Sequence, residues 1–210
     1  MKKTNLFIAL FFCSFSLIGQ NNLLKNGSFE AFDSGTQLSR IAKFADYGEV
    51  TQASNPAVEA TTVVDGVWYR KSLNSAYLKA IVVNTDAKDG DKSVVLSVNA
   101  NSPQQSLNNW YTNTLVQFYP FEKKEYTIKL YAKSMKNASR IFIGIADKKG
   151  SSVSGSKFVD ITPDWAEYTV KIKVGSTLKG GSLVIGLETD YTDDGKTVAG
   201  AVAIDNVQLY

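Results

Sequence analysis

The sequence predicts an all-β protein with a β-sandwich or jelly-roll architecture. Apolar and polar residues alternate with a period of two in several segments, which is the pattern of a strand with one face on a core. Turns rich in Gly, Asp and Lys separate these segments, and no segment shows a capped helical periodicity over three turns. Many short strands joined by such turns are typical of sandwiches and jelly rolls.

The strand pattern is most regular in the second half of the chain. Segments 125–134 and 166–174 carry an apolar residue at nearly every second position, so each is predicted to be a strand with one buried face. Segment 39–47 is compatible at most with a short surface helix. The other predicted strands are 93–99, 139–147, 182–190 and 198–209.

Residues 1–19 are predicted to be a signal peptide, and residues 20–210 a single domain. Lys2 and Lys3 precede an apolar run that ends at the small residue Gly19, which is the pattern of a cleaved export signal. The run is shorter than the ~20 apolar residues of a membrane span, so we expect no membrane insertion. We therefore expect a bacterial protein that is secreted or lies in the periplasm or at the cell surface.

Composition excludes several kinds of catalytic and metal site. The chain has no histidine, and its one cysteine, Cys13, lies inside the predicted signal peptide. Serine–histidine and cysteine–histidine catalysis and histidine-ligated zinc are therefore excluded. An exported chain without a disulfide has to be stabilised by packing or by a metal.

The charge of the chain argues against nucleic acid and anionic membranes as partners. The formal net charge is +3, and it falls to +1 without Lys2 and Lys3. Basic tracts are no longer than two or three residues, whereas nucleic-acid and membrane-surface sites concentrate lysine and arginine. We therefore expect neither partner.

Four short motifs follow one another along the chain. They are NLLKNGSFE at 22–30, EYTIKLYAK at 125–133, ITPDWAEYTV at 161–170 and AIDNVQLY at 203–210. In this order they resemble the motifs of carbohydrate-binding modules of the family four and family nine type. The resemblance implies a galactose-binding-like jelly roll in which the first and last strands lie side by side.

The resemblance also implies a structural calcium ion that joins the two ends of the chain. Glu30 and Asp205 would each provide a carboxylate, and the turn that contains Asp91 would add backbone oxygens. Calcium prefers six to eight such hard oxygen ligands. The alternative interpretation is that Glu30 caps a turn and Asp205 pairs with a lysine.

Two aromatic pairs in polar surroundings are candidate sugar-binding residues: Trp68 with Tyr69, and Trp110 with Tyr111. Flat rings stack on the apolar faces of sugars, and neighbouring amides bond to hydroxyl groups. Large rings are more often buried, so the alternative is that a tryptophan fills one end of the core. The resemblance implies that Trp165 packs against the sandwich edge, so we do not assign it to the site.

Further candidates lie on the predicted strands. Gln117 offers an amide group, and Tyr131 points away from the apolar face of its strand. Phe142 also points away from the apolar face of its strand. Gly144 and Gly186 are expected to share the second face with these two rings, which would form the floor of a groove or be covered by a loop.

The resemblance implies a non-catalytic protein that binds a polysaccharide or oligosaccharide. The main alternative is an adhesion or structural protein that binds a protein partner. A polysaccharide-degrading enzyme is a weaker alternative. Glycoside hydrolysis needs two carboxylates about 5–10 Å apart in a cleft, and no such pair is marked in the sequence. Tyr69, Arg70 and Lys71 have the side-chain types that a lyase uses, a tyrosine with a lysine or arginine, but nothing else in the sequence marks a lyase site. The sequence specifies no oligomeric state.

Overall fold

The computed structural model is an all-β sandwich, which confirms the predicted fold class. It describes residues 21–41, 66–72, 78–100, 113–147, 153–189 and 198–210. No helix in these ranges has the length and apolar character needed to cross a membrane. The strands of the described ranges are β1 (Arg40–Ile41), β2 (Trp68–Ser72), β3 (Leu78–Val83), β4 (Ser93–Val98), β5 (Asn113–Phe118), β6 (Glu125–Lys136), β7 (Ala138–Ala146), β8 (Val153–Asp160), β9 (Ala166–Lys173), β10 (Ser182–Thr189) and β11 (Gly200–Leu209).

One layer of the sandwich is a six-stranded sheet with the order β1-β2-β5-β10-β7-β8. The short strand β1 runs parallel to β2, and the other neighbours are antiparallel. The expectation of at most a short helix at 39–47 is wrong for Arg40 and Ile41, because both residues pair with β2. The rest of that segment lies outside the described residues.

The other layer is an antiparallel five-stranded sheet with the order β3-β4-β11-β6-β9. Its central strand β11 is the last strand of the chain. The predicted strands 125–134 and 166–174 correspond to its neighbouring strands β6 and β9. The alternation along both strands puts one set of side chains between the sheets and the other on the outer face, as predicted.

The main core lies between the two sheets. Tyr126, Ile128 and Leu130 of β6 pack there against Ile143 and Ile185 of the opposite sheet. A second, smaller apolar cluster contains the buried residues Ile41, Tyr69, Val116, Phe118, Phe142, Ala146 and Val184. These residues alternate with core residues along the strands of the six-stranded sheet, so the second cluster lies on the outer face of that sheet.

The two ends of the described chain lie side by side, as the resemblance implied. The backbone N–H of Leu23 donates to the carbonyl of Leu209 at 2.9 Å, and the N–H of Val207 donates to the carbonyl of Gly27 at 2.8 Å. A Cβ atom on Gly27 would lie 1.9 Å from the carbonyl oxygen of Val207. Glycine is therefore required here for the close approach of the two backbones.

Candidate functional site

Trp68 lies in the core, so the structure corrects its assignment as an exposed ligand platform. Its side chain is 1% exposed, and its ring centroid lies 5.4 Å from that of Phe29. The indole N–H donates to the backbone carbonyl of Asn26 at 3.0 Å, so the one polar atom of the ring is satisfied inside the protein. The alternative in which a tryptophan fills the core describes Trp68.

Gln117 is likewise a structural residue in the described conformation. It is buried, and its Oε1 accepts the N–H of Lys25 at 3.2 Å while its Nε2 donates to the carbonyl of Lys25 at 2.9 Å. The amide thus pairs with backbone groups of the N-terminal segment and ties that segment to β5. This pairing corrects its assignment as a group that reads sugar hydroxyls.

Of the remaining residues in the two aromatic pairs, the structure describes only Tyr69. Tyr69 lies on the outer side of the six-stranded sheet, 4% exposed, with its ring edge-on to Phe118 at a centroid distance of 6.3 Å. Trp110 and Tyr111 lie outside the described residues.

The outer side of the six-stranded sheet is here called the six-stranded face. Strand register aligns Lys71, Thr114, Gly186 and Phe142 in one row across β2, β5, β10 and β7, and Phe158 of β8 continues that row. Gly144, in the neighbouring row, lies on the same face, as expected for Gly144, Gly186 and Phe142. The face is defined by Tyr69, Lys71, Thr114, Val116, Arg140, Phe142, Gly144, Phe158, Ser182, Val184, Gly186 and Glu188.

Phe158 is the exposed aromatic residue of the six-stranded face. Its side chain is 38% exposed, and its ring stands edge-on to Phe142 at a centroid distance of 5.3 Å. Among the described residues it shares this exposure with one other large apolar side chain, Met135 on the opposite sheet. Sequence reasoning did not select Phe158. The signal that could have found it is the alternation along β8, which puts every second residue of that strand on the same face.

A charged pair lies beside the exposed ring. The Nε atom of Arg140 is 2.6 Å from an oxygen of Glu188, and the guanidinium carbon of Arg140 is 5.1 Å from the ring centroid of Phe158. Strand β7 positions Arg140, and β10 positions Glu188 directly opposite it. The pair therefore offers both donors and acceptors at the edge of an apolar ring.

Two buried polar side chains, Lys71 and Thr114, lie in the row that also contains Gly186 and Phe142. Lys71 is 3% exposed, and burial lowers its pKa from 10.5 to about 7. Thr114 lies directly opposite Lys71 in the register, and its buried hydroxyl has no hydrogen-bond partner in the part of the chain that the structure describes. A buried hydroxyl without a partner is an energetic cost unless a ligand or water satisfies it.

Tyr131 lies on the other sheet, so the expectation that it shares a face with Phe142 is wrong. Both side chains do point away from the main core. Tyr131 belongs to β6 of the five-stranded sheet, however, and Phe142 belongs to β7 of the six-stranded sheet. Alternation shows which side of a strand a residue occupies but not which sheet the strand joins.

Glu30 and Asp205 both bind the turn between β3 and β4. One Glu30 oxygen accepts the N–H groups of Asp91 and Lys92 at 2.9 and 2.8 Å. One Asp205 oxygen accepts the N–H groups of Lys88 and Asp89, each at 2.8 Å. The two carboxylates therefore hold the turn against the two ends of the chain.

Asp205 is the buried member of this pair of carboxylates. It is 0% exposed, and its second oxygen accepts the N–H of Asn206 at 2.6 Å. Burial raises the pKa of Asp205, while the N–H bonds from Asp89, Lys88 and Asn206 act in the opposite direction.

The described donor set does not make up a calcium shell. Three of the four carboxylate oxygens of Glu30 and Asp205 face N–H groups, and the ammonium group of Lys92 donates to the Glu30 carbonyl at 2.9 Å. Asp91 contributes its N–H to Glu30. A calcium ion needs six to eight oxygens directed at it, and the described residues contain no group of three or more acidic side chains placed to hold a metal.

The fold is shared with solved carbohydrate-binding proteins. A Bacteroides thetaiotaomicron VPI-5482 protein described as sugar-binding superposes with a TM-score of 0.58 at 14% identity, covering 90% of this chain and 99% of its own. A CBM4 carbohydrate-binding module superposes with a TM-score of 0.54 at 17% identity, covering 89% of this chain and 97% of its own. No family model and no curated protein matches the sequence. The chain thus shares the β-sandwich fold of these two proteins.

Proposed function

We propose that this protein is an exported, non-catalytic glycan-binding protein whose ligand lies on the six-stranded face. Its fold is shared with a CBM4 module and with a protein described as sugar-binding, which supports the proposal at the level of the class. The observation that carries it is the exposed ring of Phe158 beside the Arg140–Glu188 pair. An apolar ring bordered by a few polar groups is the usual composition of a sugar site.

The chemistry of the proposed site divides into stacking and hydrogen bonding. The ring of Phe158 would pack against the apolar C–H face of a sugar, and Phe142 below it fixes the orientation of the ring. Arg140 would donate to hydroxyl oxygens, and Glu188 would accept from hydroxyl groups. Glu188 is already engaged by a guanidinium, which suits binding rather than proton transfer to a glycosidic oxygen, so the proposal is non-catalytic.

Affinity gel electrophoresis tests the site. The purified protein is run in gels that contain xylan, β-1,4-galactan, mixed-linkage β-glucan or polygalacturonate. We expect at least one polymer to slow the intact protein and Phe158→Ala to weaken that retention about tenfold, which corresponds to about 1.4 kcal/mol. Met135→Ala is the matched control, because it removes an exposed apolar side chain of similar exposure from the opposite sheet.

The outcome of this experiment also separates the alternatives. If no polymer slows the intact, folded protein, glycan binding is wrong and the protein-binding alternative takes its place. If Phe158→Ala and Met135→Ala leave retention equally unchanged, the six-stranded face is not the site. Release of reducing sugar from any polymer would contradict the non-catalytic proposal.

Calcium stays a prediction of the sequence, and a chelator tests it. If an ion joins the ends of the chain, EDTA lowers the melting temperature, added calcium restores it, and Asp205→Asn removes the response. A melting temperature that does not change with EDTA would rule the ion out. The N–H bonds to Glu30 and Asp205 would then account for both carboxylates.

Export is proposed from residues 1–19, which lie outside the described part of the chain. Expression in a bacterial host should yield a processed protein in the periplasm or medium, with an N-terminus near Gln20. Recovery of unprocessed protein in the cytoplasm would contradict this.

A further inference from the structure

A second aromatic surface lies on the outer side of the five-stranded sheet, opposite the proposed site. We call it the five-stranded face and define it by Asp86, Lys88, Tyr131, Lys133, Trp165 and Glu167. In the antiparallel pairing of β6 with β9, Tyr131 lies opposite Glu167. Trp165 immediately precedes β9, so the two rings are diagonal neighbours on one face, within reach of one bound ligand.

The ring of Trp165 is held in place by polar groups at its edge. Its indole N–H donates to a carboxylate oxygen of Asp86 at 2.9 Å, and Lys133 forms an ion pair with the same carboxylate. Burial acts to raise the pKa of Asp86, but the bonds from Lys133 and Trp165 outweigh it and hold the pKa below its usual value. The carboxylate that orients the ring is therefore ionised at neutral pH, so the ring is preorganised for a ligand.

Both rings keep part of their surface in solvent, and each has a lysine ammonium group beside it. The Nζ atom of Lys133 lies 5.5 Å from the Trp165 centroid, and that of Lys88 lies 5.7 Å from the Tyr131 centroid. The attraction between an ammonium group and an exposed ring is weak, so a sugar can take its place on the ring. Lys133 also stays paired with Asp86 at the edge of the Trp165 ring. A displaced lysine would still reach the ligand as a hydrogen-bond donor.

We propose that the five-stranded face is a second glycan-binding surface, on which sugar rings stack against Trp165 and Tyr131 while Lys88, Lys133 and Glu167 bond to hydroxyl groups. The inference rests on the proposed glycan-binding function and adds a second site to it. Sugar hydroxyls both donate and accept, so a surface that mixes ammonium and carboxylate groups around flat rings fits them.

Two sites on opposite outer faces give the protein a property that neither site has alone. The sheets of a sandwich are about 10 Å apart, so one sugar chain segment cannot occupy both outer faces at once without wrapping around the edge. One protein molecule would therefore join two polysaccharide segments, and retention on a polymer would gain from multivalency.

The test combines one variant from each face, Phe158→Ala and Trp165→Ala. Gels contain the polymers named above, and calorimetry uses the hexasaccharide of whichever polymer retains the intact protein. In calorimetry we expect two hexasaccharides per intact chain, and one per chain for Phe158→Ala or Trp165→Ala. In gels each single variant should lose part of the retention, and the double variant should lose it entirely. Trp165→Phe keeps a flat ring without the N–H bond to Asp86 and should bind two, and Lys171→Ala on β9 is the surface control.

The outcomes separate this inference from the proposed function. One hexasaccharide per intact chain, with Trp165→Ala equal to the intact protein, overturns the second surface and leaves the first site in place. If Trp165→Ala and Trp165→Phe lose the same amount of glycan binding and both have lowered melting temperatures, the indole N–H supports the fold. That result overturns the stacking role of Trp165. No binding to any polymer removes both sites together.

Discussion

The two outer faces of the sandwich differ in how far their side chains are buried and in how much charge they carry. The six-stranded face carries a buried apolar cluster that includes Tyr69, Val116 and Phe142, and its lysine is almost completely buried. The outer side of the five-stranded sheet carries partly exposed rings and ion pairs, among them Lys129 with Glu167 and a more exposed pair of Lys171 with Glu125 at 3.7 Å. The central strands β7 and β10 of the six-stranded sheet are thus buried on both sides over most of their length, whereas β6 and β9 of the other sheet are buried on one side.

This difference explains which strands could be recognised from the sequence. A strand with one solvated face shows clean alternation, whereas a strand that is buried on both faces reads as a nearly continuous apolar run. Residues 141–146 of β7 and 182–187 of β10 are all buried, and both runs are mostly apolar. All five residues of β2 are buried as well, but Arg70, Lys71 and Ser72 interrupt its apolar pattern. Alternation therefore identifies the five-stranded sheet more readily than the six-stranded sheet.

The largest effect expected from the comparison is that of Phe142→Ala. Its ring is 1% exposed, and truncating a buried phenylalanine typically costs about 3–5 kcal/mol of unfolding free energy. Tyr131→Ala, on the five-stranded face, should shift the denaturation midpoint far less. Urea denaturation of both variants measures the contrast, and similar midpoints would show that the two faces do not differ.

Asp205→Ala is expected to have the next largest effect, about 3 kcal/mol, because it leaves three N–H groups without their charged acceptor. Glu30→Ala is the matched comparison. It should cost less, because the N–H groups of Asp91 and Lys92 that bind Glu30 are exposed and can form hydrogen bonds with water instead. A loss for Glu30→Ala as large as that for Asp205→Ala would mean that burial does not set the difference.

Lys71→Met should change how stability depends on pH. Burial lowers the pKa of Lys71 to about 7, so between pH 7 and 10.5 the unfolded chain binds the proton that the folded chain has released. Stability of the wild type therefore rises with pH in that window. The variant should be the more stable protein at pH 6, and its advantage should shrink towards pH 10. Thermal melts across this range measure it, and a constant difference would contradict the burial of a charge.

Lys171→Ala should have the smallest effect. Its side chain is 66% exposed, and the ion pair with Glu125 is screened by solvent, so we expect about 0–1 kcal/mol. Denaturation at low and high salt measures this contribution. A loss that exceeds that of Asp205→Ala would show that the outer side of the five-stranded sheet depends on its surface charges.

The sequence predicted the strands better than it predicted the site. Alternation alone locates β6 and β9 and shows that Tyr131 and Phe142 leave the core. It does not show that these rings lie on different sheets, because sheet membership depends on the order in which distant strands pair. Trp68 was misassigned for a related reason, since its burial depends on Phe29 and Asn26, which are some forty residues away in the chain.

The terminal motifs were informative because their chemistry is local and specific. Gly27 is needed at a backbone contact, and Glu30 and Asp205 are positioned by the segments that contain them. Their partners were less predictable. The sequence suggested carbonyl oxygens of the turn as neighbours, whereas the turn presents its N–H groups, because its backbone conformation is set by Gly90 with a φ of 71°.

The bonds between the N-terminal segment and β11 also determine how the fold responds to force. Leu23 pairs with Leu209, and Gly27 pairs with Val207, so the two segments run antiparallel with residues 22 and 210 at the same end of the pairing. A pull applied between residues 22 and 210 therefore loads these bonds one after another, as in unzipping. The bonds nearest residues 22 and 210 would break first, before the bonds that Asp205 makes with the turn between β3 and β4. The sandwich would therefore open stepwise from this end, without the simultaneous rupture of a whole sheet.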